Sequence, residues 1–135
     1  MKKLILLSIL LLSVCYTQDC TSPLCLSIQN VDRNAGTLDI NIVNSESIAG
    51  FQFDMTGINI LGASGGLAAE AGFMILPNST TIIGFSLTGN YISAGEGVLF
   101  QVSFTDDIDD VDDNICFGFN DGGNVDGNVF SDADQ

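Results

Sequence analysis

The sequence predicts an all-β fold, an antiparallel jelly-roll β-sandwich of eight to nine strands. From residue 24 onward, apolar and polar residues alternate with a period of two, which is the pattern of half-buried strands. Short segments rich in Gly, Asn, Ser and Asp separate these runs at roughly even spacing, as in sandwiches and jelly rolls. The chain lacks the alternation of strands and helices that builds a parallel sheet. An antiparallel two-layer fold is therefore expected.

The first 18 residues are expected to be a secretory signal peptide. Lys2 and Lys3 form a basic start, and residues 4–14 are apolar except for two serines. That run is about half of the roughly 20 apolar residues that a membrane-spanning helix needs. A charged start followed by a short apolar run is typical of a leader that is removed.

Cleavage is expected between Cys15 and Asp19, which leaves one domain over residues 19–135 and places the protein outside the cell or on its surface, with no membrane span. The alternative is a lipoprotein signal that ends at Cys15, although Val14 stands where a small residue is preferred.

The charge of the mature chain excludes several classes of partner. Without the leader, Arg33 is the one clear cation against 17 acidic residues, a net charge of −16. Such a surface repels nucleic acids and anionic lipids. It suits cations or basic partners, or it simply keeps an extracellular protein in solution.

An exported chain can form disulfides. Cys20 and Cys25 bracket a turn that contains Pro23, so a disulfide between them is the first expectation. A bond between Cys25 and Cys116, joining an early strand to a late one, is the alternative. Zinc is disfavoured because the chain has no histidine and zinc usually takes four ligands.

Each expected strand rests on apolar residues in phase. The first three are centred on Leu24, Leu26 and Ile28; on Leu38, Ile40 and Ile42; and on Phe51, Phe53 and Met55, with residues 57–60 as an extension of the third. The others are residues 73–76; Ile83, Phe85 and Leu87; Val98, Phe100, Val102 and Phe104; Ile115, Phe117 and Phe119; and residues 125–130. Residues 67–72 can form one helical turn, and residues 77–79 a turn.

No enzymatic activity is expected. The chain has no histidine to activate a serine or cysteine. A glycosidase needs only two carboxylates, and Asp54, Glu70 and Glu96 are the candidates. Nothing in the sequence singles out a pair among them, so all three are interpreted as solvated side chains.

An acidic run near the C-terminus is the candidate calcium site. Ca²⁺ takes six to eight oxygen ligands from flexible carboxylates and carbonyls, so this run could hold one, or it could be a solvated connector. Its members are Asp106, Asp107, Asp109, Asp110, Asp112 and Asp113. Residues 124–127 resemble part of an EF-hand loop, but Gly122 and Ala133 stand where ligands are required, so no EF-hand is expected.

The aromatic residues argue against an aromatic platform for sugars. The chain has no tryptophan, Tyr91 is the clear tyrosine of the mature chain, and the phenylalanines fall on the apolar phase of strands. A hydrogen-bonding cleft is the alternative way for the chain to bind a glycan. The sequence Asn78-Ser79-Thr80 fits a glycosylation sequon and is interpreted as a turn.

Two segments resemble the cohesin family. Residues 48–55 (IAGFQFDM) are similar to the third-strand region of cohesin domains, and residues 97–104 (GVLFQVSF) to a later strand that opens with Gly. Residues 115–117 and 128–132 stand where the last two strands would fall. The resemblance covers residues 24–132 and implies a nine-stranded jelly roll that is exported and acts in adhesion.

The leading functional hypothesis is a secreted, non-catalytic binding module that recruits a partner protein, dockerin-like or a second copy, or a polysaccharide-associated component. One alternative is a structural subunit of a surface layer or matrix that assembles with copies of itself through open edge strands. The other is a calcium-dependent adhesin.

Overall fold

The computed structural model describes residues 24–106, 114–118 and 129–132, the last range by its backbone. These residues form two antiparallel sheets and one short helix, so the expected all-β, sandwich-like architecture is confirmed. The elements are β1 (Leu24–Asp32), β2 (Thr37–Asn44), β3 (Ile48–Thr56), β4 (Ile58–Ser64), α1 (Gly66–Glu70), β5 (Met74–Pro77), β6 (Thr81–Phe85), β7 (Gly95–Asp106), β8 (Cys116–Phe117) and β9 (Val129–Asp132).

The first sheet has the strand order β1-β2-β7-β4, and the second sheet has the order β5-β6-β3-β8. Strand β9 also pairs with β3, over its first half, whereas β8 pairs with its last two residues. Strands β4 and β5 lie at the same side of the sandwich, where the Ile60 N–H donates to the Ser79 carbonyl at 2.9 Å. Strands β1 and β8 therefore lie at the opposite side.

The two ends of the sandwich are named here after one residue each. Asn44 pairs with Leu24 and Gly95, and Ile48 begins the second sheet nearby; this is the Asn44 end. Thr56 pairs with Cys116, and β4 begins two residues later at Ile58. This is the Thr56 end.

The core is a stack of phenylalanines between layers of aliphatic side chains. Phe53 and Phe100, from different sheets, are fully buried with ring centroids 5.7 Å apart. The Phe51 ring lies 5.5 Å from that of Phe100 and 6.0 Å from that of Phe73. Each buried ring of this size stabilises the fold by about 1.5–3 kcal/mol relative to an exposed one. The expected core role of the phenylalanines is confirmed for these residues.

The expected extension of the third strand over residues 57–60 is wrong. Gly57 has φ 83°, and a Cβ there would lie 2.0 Å from the Asn114 carbonyl oxygen. This glycine ends β3 and sends the chain across to the first sheet. Ile58–Ser64 is a separate strand paired with β7.

The longest alternation is interrupted by a bulge. The register of β2 with β7 shifts between Ile40 and Asn41, so Ile40 faces Phe100 while Asn41 faces Val98. Leu99 and Phe100 are both fully buried, and Val98 is exposed. The inward phase expected to include Val98 therefore begins only after the bulge, which is the usual effect of one extra residue in a strand.

Candidate binding surfaces

An apolar patch lies on the outer face of the second sheet. Met74 and Leu76 of β5 are 44% and 49% exposed, and Ile83 of β6 is 37% exposed. Pairing places Met74 opposite Phe85, which is half-buried, and Leu76 opposite Ile83. These four side chains are called the β5–β6 patch. Contiguous apolar surface of this kind is typical of interaction sites.

Gly84 explains why the patch faces outward. Ile83 and Phe85 share a face, as the sequence predicts, but the core face of β6 carries Ile82 and Gly84. The core role expected of Phe85 is therefore wrong, and Leu87 lies beyond the end of this strand. The Phe51 ring fills the space beside Gly84, where an added Cβ would lie 2.1 Å from Phe51 Cζ. Phe51 therefore supplies from β3 the bulk that the inner face of β6 lacks.

A well-defined turn holds β5 against β6. The Asn78 Oδ1 atom accepts hydrogen bonds from the backbone N–H groups of Thr80, at 2.9 Å, and Thr81, at 2.7 Å. An asparagine that binds its own backbone in this way closes a turn locally. The turn expected at the sequon is confirmed, and it fixes one end of the patch.

Asp54 lies on the same outer face in a structural hydrogen bond. The Thr81 hydroxyl donates to Asp54 Oδ1 at 2.7 Å, and the Gly118 N–H donates to the Asp54 carbonyl at 2.8 Å. The structure does not bring this carboxylate together with Glu70 or Glu96.

The outer face of the first sheet mixes polar and apolar side chains, because Val98, 36% exposed, is paired with Asn41 on this face. Asp39 Oδ2 accepts a hydrogen bond from Asn30 Nδ2 at 2.9 Å, and Asp39 Oδ1 accepts a longer one from Gln101 Nε2 at 3.4 Å. Val43 is an exposed apolar residue on this face, and its strand neighbours Asn41 and Asp39 are polar.

A cleft opens at the Asn44 end between α1 and the segment that leads into β7. Its volume is about 320 Å³, and it is called the α1 cleft. It brings together Glu70, Glu96 and Tyr91, which the sequence singled out separately. Its lining residues are Leu67, Glu70, Ala71, Tyr91, Ile92, Ser93, Ala94, Gly95 and Glu96.

Backbone pairing and the buried side-chain amide of Asn44 position Ile92 and Ser93, which line the cleft. Ile48 and Ile92 exchange two backbone hydrogen bonds of 2.9 and 2.8 Å. The Asn44 side chain, 4% exposed, donates to the carbonyls of Glu46 at 2.7 Å and Ser93 at 3.2 Å. Sequence reasoning missed Asn44, although a polar residue continuing the buried phase of Ile40 and Ile42 was the available signal.

The acidic run lies mostly outside the described residues. Asp106 ends β7 and forms an ion pair with Arg33, at the turn between β1 and β2. The other members, Asp107, Asp109, Asp110, Asp112 and Asp113, are outside the described residues. Within the described ranges, no group of three or more potential metal ligands comes together. The calcium site therefore stays a prediction.

Two cysteines have a defined state. Cys25 and Cys116 are both disulfide-bonded, and none of the described cysteines is free. Cys25 pairs with Val43 in the first sheet, and Cys116 pairs with Thr56 in the second. Cys20, the expected partner of Cys25, lies outside the described residues.

No known protein family matches the chain, and neither the curated proteins nor the solved structures contain a significant match. Among the residues that the structure describes, no helix is long and apolar enough to cross a membrane.

Proposed function

We propose that this protein is a secreted, non-catalytic, cohesin-like binding module that recruits a partner protein through the β5–β6 patch. The observation that carries the proposal is the cluster of Met74, Leu76, Ile83 and Phe85 on the outer face of the second sheet. Two paired strands hold the backbone of these residues, so covering them orders side chains without having to order a loop.

Charge defines the chemistry of the partner. The chain carries 17 acidic residues, and Arg33, its one cation within the described ranges, is already paired with Asp106. Asp54 lies on the same outer face as the patch. The fitting partner is a protein with an apolar contact surface surrounded by lysines or arginines, because complementary charge speeds association and excludes acidic competitors.

The acid groups fall into two separate places, which excludes Asp54 from a carboxylate pair with either glutamate. Asp54 is held by Thr81, and Glu70 and Glu96 line a separate cleft that lacks histidine, lysine and arginine. General acid–base or nucleophilic catalysis needs a second group in reach of the first. Asp54 has neither glutamate as a neighbour, and Glu70 and Glu96, which share the α1 cleft, are the pair that a glycan ligand there would meet.

Glycan binding in the α1 cleft is the second candidate function. Tyr91 is 54% exposed and shares the cleft with Glu70, Glu96 and Ser93. An aromatic ring can pack against a sugar face while carboxylates and a hydroxyl accept or donate hydrogen bonds at its rim, which is the common composition of small-ligand sites. This candidate places the ligand at the Asn44 end.

The test compares a patch variant with a control on the other sheet. The double variant Leu76→Ser/Ile83→Ser removes the centre of the β5–β6 patch, and Val43→Ser removes a similarly exposed side chain from the first sheet. Each immobilised protein is incubated with extracellular material from the source, and the captured proteins are identified by mass spectrometry. A captured protein is then purified and its Kd measured by calorimetry.

We expect the patch variant to weaken binding at least tenfold and the control to leave it within twofold, because centrally buried contacts dominate interface energies. Equal loss in both variants contradicts the proposal. Retention of carbohydrate alone, abolished by Tyr91→Ala, supports the second candidate instead. Self-association in size-exclusion chromatography at rising concentration, removed by the patch variant, identifies a second copy as the partner.

A further inference from the structure

The tip of the β5–β6 hairpin exposes a complete glycosylation sequon. Asn78, Ser79 and Thr80 are all exposed, and their order fits the Asn-x-Ser/Thr acceptor, whose middle residue is not proline. No other asparagine in the sequence is followed two residues later by serine or threonine. An acceptor of this kind on a surface turn is typical of secreted proteins. The turn and the sequon are therefore compatible interpretations of the same residues.

The hydrogen bonds of the turn use only the oxygen of the Asn78 amide. Oδ1 accepts the Thr80 N–H at 2.9 Å, the Thr81 N–H at 2.7 Å and the Thr80 hydroxyl at 3.4 Å. Three donors at one atom identify it as the carbonyl oxygen, because an amide nitrogen only donates. Nδ2 donates to none of the residues that the structure describes. A sugar attached to Nδ2 leaves the acceptor in place, so the turn and a glycan can coexist.

The amide of Asn44 shows the opposite arrangement. Its side chain is 4% exposed, and Nδ2 donates to two backbone carbonyls at 2.7 and 3.2 Å. A glycosylated amide nitrogen keeps one hydrogen, so a sugar there would break one of these bonds and would have to enter the core. Asn78 meets neither obstacle.

The backbone of the turn is bonded toward the sandwich. The Ser79 carbonyl accepts the Ile60 N–H at 2.9 Å, and the Thr80 carbonyl accepts the Met55 N–H at 2.8 Å. Ile60 belongs to the first sheet and Met55 to the second, so the turn is fixed to both sheets at the Thr56 end. The exposed Asn78 side chain is therefore held at the surface in the folded protein.

We propose that Asn78 is N-glycosylated in the secreted protein. The inference rests on the export that the proposed function includes, and it adds a covalent group to that function. The glycan stands two residues beyond Leu76 in the chain, at the Thr56 end of the β5–β6 patch. It restricts a partner to approaches that leave the tip of the hairpin free.

The donor is an oligosaccharide carried on a polyprenyl diphosphate. A bond forms between Nδ2 and the anomeric carbon of the first sugar, and the bond from that carbon to the phosphate oxygen breaks. The lipid diphosphate leaves with the bonding electron pair, and the amide nitrogen loses one proton to a base of the transferase. No oxidant or reductant is needed.

Mass mapping of the protein secreted by its source tests the modification. A protease that cuts before aspartate releases residues 54–105 as one peptide, which contains Asn59, Asn78 and Asn90. We expect this peptide to carry a glycan that fragmentation assigns to Asn78. An amidase that releases N-linked glycans should then convert Asn78 to aspartate and leave Asn59 and Asn90 unchanged.

Three variants made in the same source separate the sequon from the turn. Thr80→Ala destroys the sequon but keeps both backbone donors to Asn78, so the secreted variant should lose the whole glycan and have the mass of the bare chain. Thr80→Ser and Ser79→Ala keep the sequon and should keep the glycan.

Three results would overturn the inference: an unmodified Asn78 in the secreted protein, a glycan on serine or threonine instead, or a glycan retained by Thr80→Ala. If Thr80→Ala is not secreted, the peptide map of the original protein decides alone. None of these results affects the proposed function, because capture of a partner by the β5–β6 patch is measured separately. Absence of the protein from the secreted fraction would instead contradict the export on which both depend.

Discussion

At the scale of single residues, the close contact between Gly84 and Phe51 constrains the packing of the core. A Cβ on residue 84 would lie 2.1 to 2.6 Å from three atoms of the Phe51 ring. The ring is stacked against those of Phe53, Phe73 and Phe100, so it cannot move without disturbing them. We expect Gly84→Ala to lower the free energy of unfolding by about 1–3 kcal/mol, the usual cost of overpacking, as measured by urea denaturation.

The matched test removes the obstacle instead. Phe51→Leu alone should also destabilise, because it leaves a cavity. In the double variant the leucine makes room for the added methyl group. Its loss of unfolding free energy should therefore be smaller than the sum of the two single losses by more than about 0.5 kcal/mol. Strict additivity would show that the two residues do not compete for the same space.

The ion pair between Arg33 and Asp106 should contribute little, although it joins the β1–β2 turn to the end of β7. Both side chains are substantially exposed, 35% and 51%, and exposed pairs contribute about 0–1 kcal/mol. We expect Arg33→Ala to change the free energy of unfolding by less than about 1 kcal/mol. This is smaller than the loss expected for Gly84→Ala. A larger loss in urea denaturation would indicate that Arg33 has a further structural role.

At the scale of elements, the β5–β6 hairpin depends on the side chain of Asn78. Its Oδ1 atom accepts two backbone N–H groups, and each such bond contributes about 1 kcal/mol. We expect Asn78→Ala to lower the melting temperature by about 4 °C or more, measured by circular dichroism. Asn78→Asp, which keeps the acceptor, should lose much less; an equal loss would show that the acceptor is not what matters.

The same scale shows how far the sequence predicts the fold. The alternation over residues 38–42 and 51–55 was sufficient because apolar residues there are buried and the polar residues between them are not. It failed at Gly57, where the chain crosses to the other sheet. There the backbone of Asn114, distant in the sequence, leaves no room for a side chain. It failed again in β6, because the small inner residue, Gly84, is compensated by Phe51 from the neighbouring strand. Local patterns cannot reveal such long-range compensation.

The candidate surfaces show the same limit. Glu70, Glu96 and Tyr91 could each be singled out from sequence, but their convergence depends on the backbone bridge between Ile48 and Ile92. The β5–β6 patch could not be recognised, because an exposed apolar strand face and a buried one have the same pattern of residues.

At the scale of the whole molecule, the high negative net charge is expected to lower stability. The carboxylates repel one another more strongly in the folded state, where they are closer together. Salt weakens this repulsion, because the Debye length falls to about 8 Å at physiological ionic strength. We expect the melting temperature to rise as sodium chloride is raised from about 10 mM to 150 mM.

Calcium provides the contrasting measurement. If the acidic run from Asp106 to Asp113 holds Ca²⁺, millimolar Ca²⁺ should raise the melting temperature beyond Mg²⁺ at the same ionic strength, and a chelator should reverse the effect. Equal shifts with the two ions would assign the effect to screening and remove the calcium-dependent adhesin from consideration.

If the β5–β6 patch is the binding surface, the two outer faces of the sandwich have different roles. Asp39, with its hydrogen bonds to Asn30 and Gln101, lies on the solvent-exposed outer face of the first sheet. A label, bead or fusion attached there should leave recognition intact, whereas the same attachment on β5 or β6 should block it. The orientation of the protein is therefore expected to matter, and any assembly that contains it must leave the β5–β6 patch accessible.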